Sequence, residues 1–290
     1  MSTPRRRREA VRLLIDSHAH LQADAFAADA EAVIATALDG GVARILNPGW
    51  DVASSHAALA LAATHSAMDA AVGVHPHTAA EVDDGAWAGL VALARDPAVV
   101  AIGETGLDYD RAFSPRASQV ANLRRNLALA LATGKPAVIH CRSARGARDA
   151  QDELIEELRR AGVGGEAWGR VFGGRPPALL HSFSGPVDYA GAALELGLAI
   201  SFSGLVFRAG EEPSAAVAQL VPPERLLVET DSPYLSPPDA PRRRNEPVWV
   251  AVTARWLAER RGTDVAGLGE QLVANYDRIF RGSRTGLPGA

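Results

Sequence analysis

Cysteine and lysine are almost missing from this sequence: Cys141 and Lys135 are the sole examples in 290 residues. A single cysteine excludes a disulfide framework and any CxxC zinc module. No run of about 18 apolar residues occurs, so a membrane span is not expected. No Gly-x-Gly-x-x-Gly turn follows the first apolar run, which disfavours an open dinucleotide-binding sheet. Neither charge sign is in large excess, with Lys+Arg 30 against Asp+Glu 34 and a formal net charge of −4. That balance excludes the broad cationic surface of a protein that coats nucleic acid, but not an enzyme that grips one phosphate locally. What remains is ordinary globular composition, 47% hydrophobic and 22% charged. Such a chain buries a substantial core without staples.

Arg5, Arg6, Arg7 and Arg8 form a basic block near the N-terminus. A secretory signal would follow it with roughly 7–15 apolar residues. Here the next apolar segment is only Leu13-Leu14-Ile15, cut by Asp16. Residues 1–11 are therefore read as a disordered basic arm, 12–281 as one folded domain and 282–290 as a frayed tail. The expected compartment is the cytoplasm.

Eight short Val/Ile/Leu/Ala runs organise the domain: Leu13–Asp16, Ala43–Asn47, Ala70–Val74, Val99–Gly103, Ala137–Ile139, Ala178–Leu180, Leu198–Phe202 and Leu226–Glu229. They lack polar alternation, as strands covered on both faces should. Helical patterns lie between them, at Asp29–Asp39, Ser54–Ser66, Asp84–Arg95, Ser118–Thr133 and Ala147–Ala161, several ended by glycine. Two more follow at about Val248–Arg261 and Val265–Phe280. Strand–helix alternation over this length predicts an α/β fold, a single (β/α)8 TIM barrel. Gly162–Pro177, rich in Gly and Pro, reads as an extended loop or small excursion and not a second domain. Ser236–Pro247 reads as another.

Six of the eight histidines fall at or just past a strand's C-terminal end: His18, His20, His75, His77, His140 and His181. That rim is where barrels build active sites. His18 and His20 are two apart in extended backbone and share a side. Glu104 ends the fourth apolar run, a costly place for a carboxylate unless it is paired or binds a cation. Its two oxygens can also bridge two ions. With His140, His181 and Asp231 the mouth holds four imidazoles and two carboxylates, a set suited to transition-type divalent ions.

Ile15-Asp16-Ser17-His18-Ala19-His20-Leu21, Gly73-Val74-His75-Pro76-His77, Ile102-Gly103-Glu104-Thr105-Gly106-Leu107-Asp108-Tyr109, Ile139-His140-Cys141-Arg142, Leu180-His181-Ser182-Phe183-Ser184-Gly185 and Glu229-Thr230-Asp231-Ser232-Pro233-Tyr234-Leu235 resemble the signatures of the TatD family of metal-dependent deoxyribonucleases. Arg244-Asn245-Glu246-Pro247 is similar to the same family's Asn-Glu-Pro segment. The resemblance spans about residues 13–281. It implies a TIM barrel of the amidohydrolase superfamily with two divalent ions per subunit, drawn from zinc, manganese, magnesium, nickel or iron. It also implies phosphodiester hydrolysis, commonly as a 3′–5′ exonuclease on single-stranded DNA. Carried over, His18, His20, Glu104 and Asp231 would bind one ion, and Glu104, His140 and His181 the other. His75 and Arg142 would contact substrate. Many relatives have an acidic residue where Ser143 stands, and the 162–177 loop is longer than usual.

Two ions about 3.5–4 Å apart would activate water and stabilise the developing oxyanions, with Asp231 orienting that water and taking its proton. Lys135 precedes the fifth strand, at the wrong end of a barrel to bridge ions as a carboxylated lysine. That disfavours dihydroorotase-like and phosphotriesterase-like chemistry. Arg142 has an alternative role as one half of an ion pair, and His77 as a ligand neighbour, substrate contact or cap. Two other functions compete: amide or ester hydrolysis at the same ions, such as D-aminoacyl-tRNA deacylation, and a non-catalytic scaffold whose basic arm recruits nucleic acid. The expected partner is DNA, with RNA or tRNA as alternatives, and the expected state a monomer.

Overall fold

The computed structural model describes residues 14–241 and 243–282. The basic arm at 1–11 and the tail after residue 282 lie outside the described residues. Eight parallel strands follow one another round the sheet in chain order: β1 (Leu14–Asp16), β2 (Val42–Pro48), β3 (Met68–Val72), β4 (Val99–Asp108), β5 (Ala137–Arg142), β6 (Ala178–Leu180), β7 (Ala199–Phe202) and β8 (Leu226–Val228). The first and last strands close through Ser17 N–H to Val228 O at 3.0 Å and Asp231 N–H to His18 O at 2.9 Å. The fold is the single (β/α)8 barrel that the strand–helix rhythm predicts. Ile15, Ile45, Leu46, Val72, Ile139 and Ile200 are fully buried, because strands lined by helices outside and side chains inside have no wet face.

Local signals start and stop the surrounding helices α1 (Ala30–Asp39), α2 (Val52–Thr64), α3 (Asp84–Leu93), α4 (Arg116–Thr133) and α5 (Asp149–Arg160). A reciprocal capping box of Asp51 and Ser54 opens α2. Gly134, in the left-handed region at φ 65, closes α4. Lys135 then donates to Ala94 O at 2.7 Å and Asp96 O at 2.8 Å, at the foot of β5 and away from His140. The chain continues through α6 (Glu166–Phe172), α7 (Val187–Glu195), α8 (Ser214–Leu220), α9 (Val250–Arg261) and α10 (Val265–Tyr276).

The structure corrects two readings. Gly162–Pro177 is not all loop: α6 occupies its centre, with Trp168 and Phe172 buried and their rings stacked at 5.4 Å. Seven residues are two turns, too few to show a helical period, and Gly169 in the middle hides them further. Nor does β4 stop at Gly103. It runs on to Asp108, pairing Thr105 with Ile139 and Asp108 with Arg142, so Glu104 lies within the strand and not at its end. Glu104, Thr105, Gly106 and Asp108 interrupt the apolar run and mask this extension, while backbone pairing continues through them and the buried Leu107.

Candidate metal centre

The position of Glu104 follows from glycine on either side. The β4–β5 register shifts between Ile102 and Thr105, leaving Glu104 in an irregularity of the ladder. Gly103 and Gly106 have φ of 145 and 144, and a Cβ on Gly106 would run into the His140 carbonyl. Only glycine permits this conformation and this close approach of β5. The Glu104 side chain then enters the mouth, 3% exposed.

Two donor clusters meet on its two oxygens. Oε2 lies 3.2 Å from His18 Nε2 and 3.4 Å from His20 Nε2. Those two nitrogens are 3.1 Å apart, and Asp231 Oδ1 is 3.9 and 3.7 Å from them. Oε1 lies 2.9 Å from His181 Nε2 and 3.1 Å from His140 Nδ1, which are 3.3 Å from each other. Metal–nitrogen bonds of about 2.0–2.1 Å give tetrahedral edges of about 3.4 Å. Both clusters match that spacing.

The outer ring nitrogens decide which histidines fit a cation. His20 Nδ1 is 3.0 Å from Pro48 O, His181 Nδ1 is 3.2 Å from Glu229 Oε1, and His140 Nε2 is 3.3 Å from Asp108 Oδ2. Each partner only accepts, so each outer nitrogen carries the proton and the inner one presents a lone pair to the mouth. Lone pairs facing carboxylate oxygens repel unless a proton or a cation lies between them. The donor set therefore fits divalent ions. His75 has the reverse arrangement: its Nδ1 accepts the His77 backbone N–H at 3.1 Å. Its Nε2 thus carries hydrogen and donates to Glu104 Oε1 at 3.2 Å, which suits a hydrogen-bond donor and not a ligand.

Burial and neighbouring charge pull the titrations apart. Burial pushes His18 down to about 3 and His75 to about 4, leaving both neutral. Burial opposes charging of His181 too, but Glu104 and Glu229 overcome it and hold its pKa well above the usual imidazole range. Burial would raise Glu104, yet His75, His181 and His18 keep it well below an ordinary carboxylate. Asp231 is lifted by burial to about 6.

Residues 15–281 match the TatD related DNase family. The chain belongs to that family. It is 36% identical over 275 residues to the 3′-5′ ssDNA/RNA exonuclease TatD of Edwardsiella piscicida, covering 92% of this chain and 99% of that one. It is 32% identical over 270 residues to YabD of Bacillus subtilis, an uncharacterized metal-dependent hydrolase, covering 93% and 99%. Among solved structures, YJJV, a TatD homologue from Escherichia coli K12, superposes with a TM-score of 0.81 at 26% identity, over 93% of this chain and 99% of that one.

In this TatD chain the Asn-Glu-Pro segment is a brace. Buried Asn245 donates to Thr230 O at 2.9 Å and to Tyr234 O at 2.8 Å, pinning the loop that carries Asp231. Asp231 itself has φ 56, a conformation tolerated by short polar residues and common at functional sites. Two carboxylates escaped the sequence reading, Asp108 and Glu229. Each stands four or fewer positions from an expected ligand, but only tertiary structure shows that each holds a mouth imidazole, His140 or His181. Asp108 also accepts from His77 Nε2 at 2.8 Å, which makes His77 a partner of that carboxylate. Arg142 is half-buried and forms no ion pair among the described residues. It lines a cavity of about 550 Å³ that opens over Glu104.

Proposed function

We propose that this TatD-family chain hydrolyses phosphodiester bonds of single-stranded nucleic acid, removing mononucleotides from the 3′ end with two divalent cations in the barrel mouth. His18, His20, Glu104 and Asp231 hold one cation; Glu104, His140 and His181 hold the other. The observation that carries this reading is the division of the Glu104 carboxylate, one oxygen to each donor cluster. The Edwardsiella relative's name supports DNA and RNA alike as substrate classes. Nitrogen-rich donors favour zinc, manganese, nickel or iron over magnesium, which prefers oxygen and water.

Bound divalent ions supply Lewis acidity, lowering the pKa of water and stabilising charge on phosphate oxygens. The protein's own groups do the rest. Asp231 orients the attacking water and accepts its proton. His75, through its Nε2–H, and Arg142, through its planar fork, hold the non-bridging phosphate oxygens. Glu229 and Asp108 keep His181 and His140 turned inward. No described helix is long and apolar enough to cross a membrane.

The test is stepwise shortening of 5′-labelled single-stranded DNA and RNA, with added metal and with chelator. Glu104→Ala should lower the rate by about 10³-fold or more while far-UV circular dichroism stays unchanged. Full activity in that variant, or activity indifferent to chelator, would overturn the proposal.

A further inference from the structure

The two most exposed large apolar side chains among the described residues are both aromatic: Phe113, 69% exposed, and Tyr234, 60% exposed. Both line the 550 Å³ cavity over the metal centre. Rings left in water have no structural reason to collect at one mouth. Neither ring sits on a loose segment. Phe113 packs edge-on against His77 at 4.7 Å, and the neighbouring Ser114 hydroxyl donates to His77 O at 2.8 Å. Tyr234 N–H donates to Asp231 O at 2.8 Å, and its carbonyl accepts from buried Asn245. Rigid, wet aromatic faces are what nucleobases stack on, at about 1–3 kcal/mol per base.

A second cavity, of about 580 Å³, adjoins the first, and Arg142, His140, His181 and Asp231 line both. Its wall is different. Arg145 and Arg148 replace the aromatic rings, with Ser143 and Ser184 beside them. Arg148 is committed to Asp152 and Asp188, both at 2.9 Å. Arg145 is exposed and forms no ion pair among the described residues. Glu211, an acidic side chain of the same cavity wall, accepts from the Ser184 hydroxyl at 2.8 Å. A guanidinium with no carboxylate partner, one cleft away from the reacting phosphate, is placed to meet the next phosphate of a polymer.

We infer that the mouth is polarised, with the terminal base stacked on Phe113 and Tyr234 and the phosphates behind it running along the Arg145 side. This rests on the nuclease reading and extends it: the aromatic wall reads the nucleotide being removed, and the arginine wall reads polymer length. Arg145 is a specificity residue for chains over dinucleotides. Phe113 and Tyr234 serve every substrate that has a terminal base.

Two measurements on the full chain test this. In the first, chelator-treated protein binds a fluorescent single-stranded decamer across a salt series, read by anisotropy. Arg145→Ala should make the slope of log affinity against log salt shallower by about 0.7, one single-strand phosphate contact. Phe113→Ala should leave the slope unchanged and weaken binding about 5- to 150-fold, a loss that an abasic 3′-terminal residue reproduces in the wild type. In the second, the metal-loaded enzyme hydrolyses a dinucleotide and a decamer. Arg145→Ala should raise KM for the decamer alone, whereas Phe113→Ala and Tyr234→Ala should raise it for both. An unchanged salt slope in Arg145→Ala, equal KM effects on both lengths, or full sensitivity of the aromatic variants to the abasic end would overturn the inference. Because the binding arm needs no turnover, a wild type that binds as expected but hydrolyses neither substrate would instead sink the nuclease reading.

Discussion

His140 shows how a single carboxylate sets the chemistry of an imidazole. Asp108 spends Oδ1 on the backbone N–H groups of Asp110 and Arg111, at 3.0 and 2.8 Å, and turns Oδ2 to His140 and His77. In Asp108→Asn the amide oxygen must stay on the backbone donors, so the NH2 faces His140. His140 Nε2 then has to accept, its Nδ1 takes the proton, and the lone pair toward Glu104 is lost. Metal affinity should fall about 10–100-fold with unchanged circular dichroism, measured by zinc titration. Protons matter at His181 as well. Burial opposes its charging, but Glu104 and Glu229 raise its folded pKa, so without a cation it keeps its proton to higher pH than an ordinary imidazole. Cation binding must expel that proton, whereas His18, pushed to about 3, has none to lose. Affinity should therefore weaken as pH falls below the raised His181 value, and calorimetry in two buffers of different ionisation enthalpy should detect net proton release at pH 7.

Among the elements, α6 and the far half of β4 are the instructive ones. α6 hangs on two buried rings and one hydrogen bond, from Trp168 Nε1 to Ala161 O at 3.0 Å. Trp168→Ala should cost about 3–5 kcal/mol in urea unfolding. It lies in the connection between β5 and β6, remote from the mouth residues, so hydrolysis below the unfolding transition should remain near the wild-type rate. Of the residues that make β4 continue, Glu104, Thr105, Gly106 and Asp108 are polar or glycine, with Leu107 the single buried apolar side chain among them. Their strand conformation comes from the β5 ladder on one side and the Gly49 carbonyl on the other, which accepts from Glu104 N–H at 2.8 Å. Apolar periodicity marks where a strand is covered, not where its backbone stops pairing, and that is why β4 looked shorter in sequence than in space.

For the whole molecule, the proposed donors come from β4, β5 and the segments just past β1, β6 and β8, so cations held by them would bind the folded barrel alone. Loading should raise the unfolding temperature on a calorimetric scan. At free metal near 100 times Kd each site adds about 2.7 kcal/mol, and chelator should reverse the shift. A scan indifferent to metal would contradict a site assembled across the barrel.

The barrel was legible from the chain alone because eight apolar runs separated by helical patterns have few other ways to bury themselves. The six mouth residues, His18, His20, Glu104, His140, His181 and Asp231, were legible because strand ends of a barrel converge on one rim. Which imidazole nitrogen faces inward, that His75 donates where its neighbours offer lone pairs, and that Asp108 and Glu229 enforce this, were decided by tertiary structure. The physical reason is that a histidine's role depends on what its far nitrogen touches, and those partners lie on other strands, up to 48 residues away in the case of His181 and Glu229.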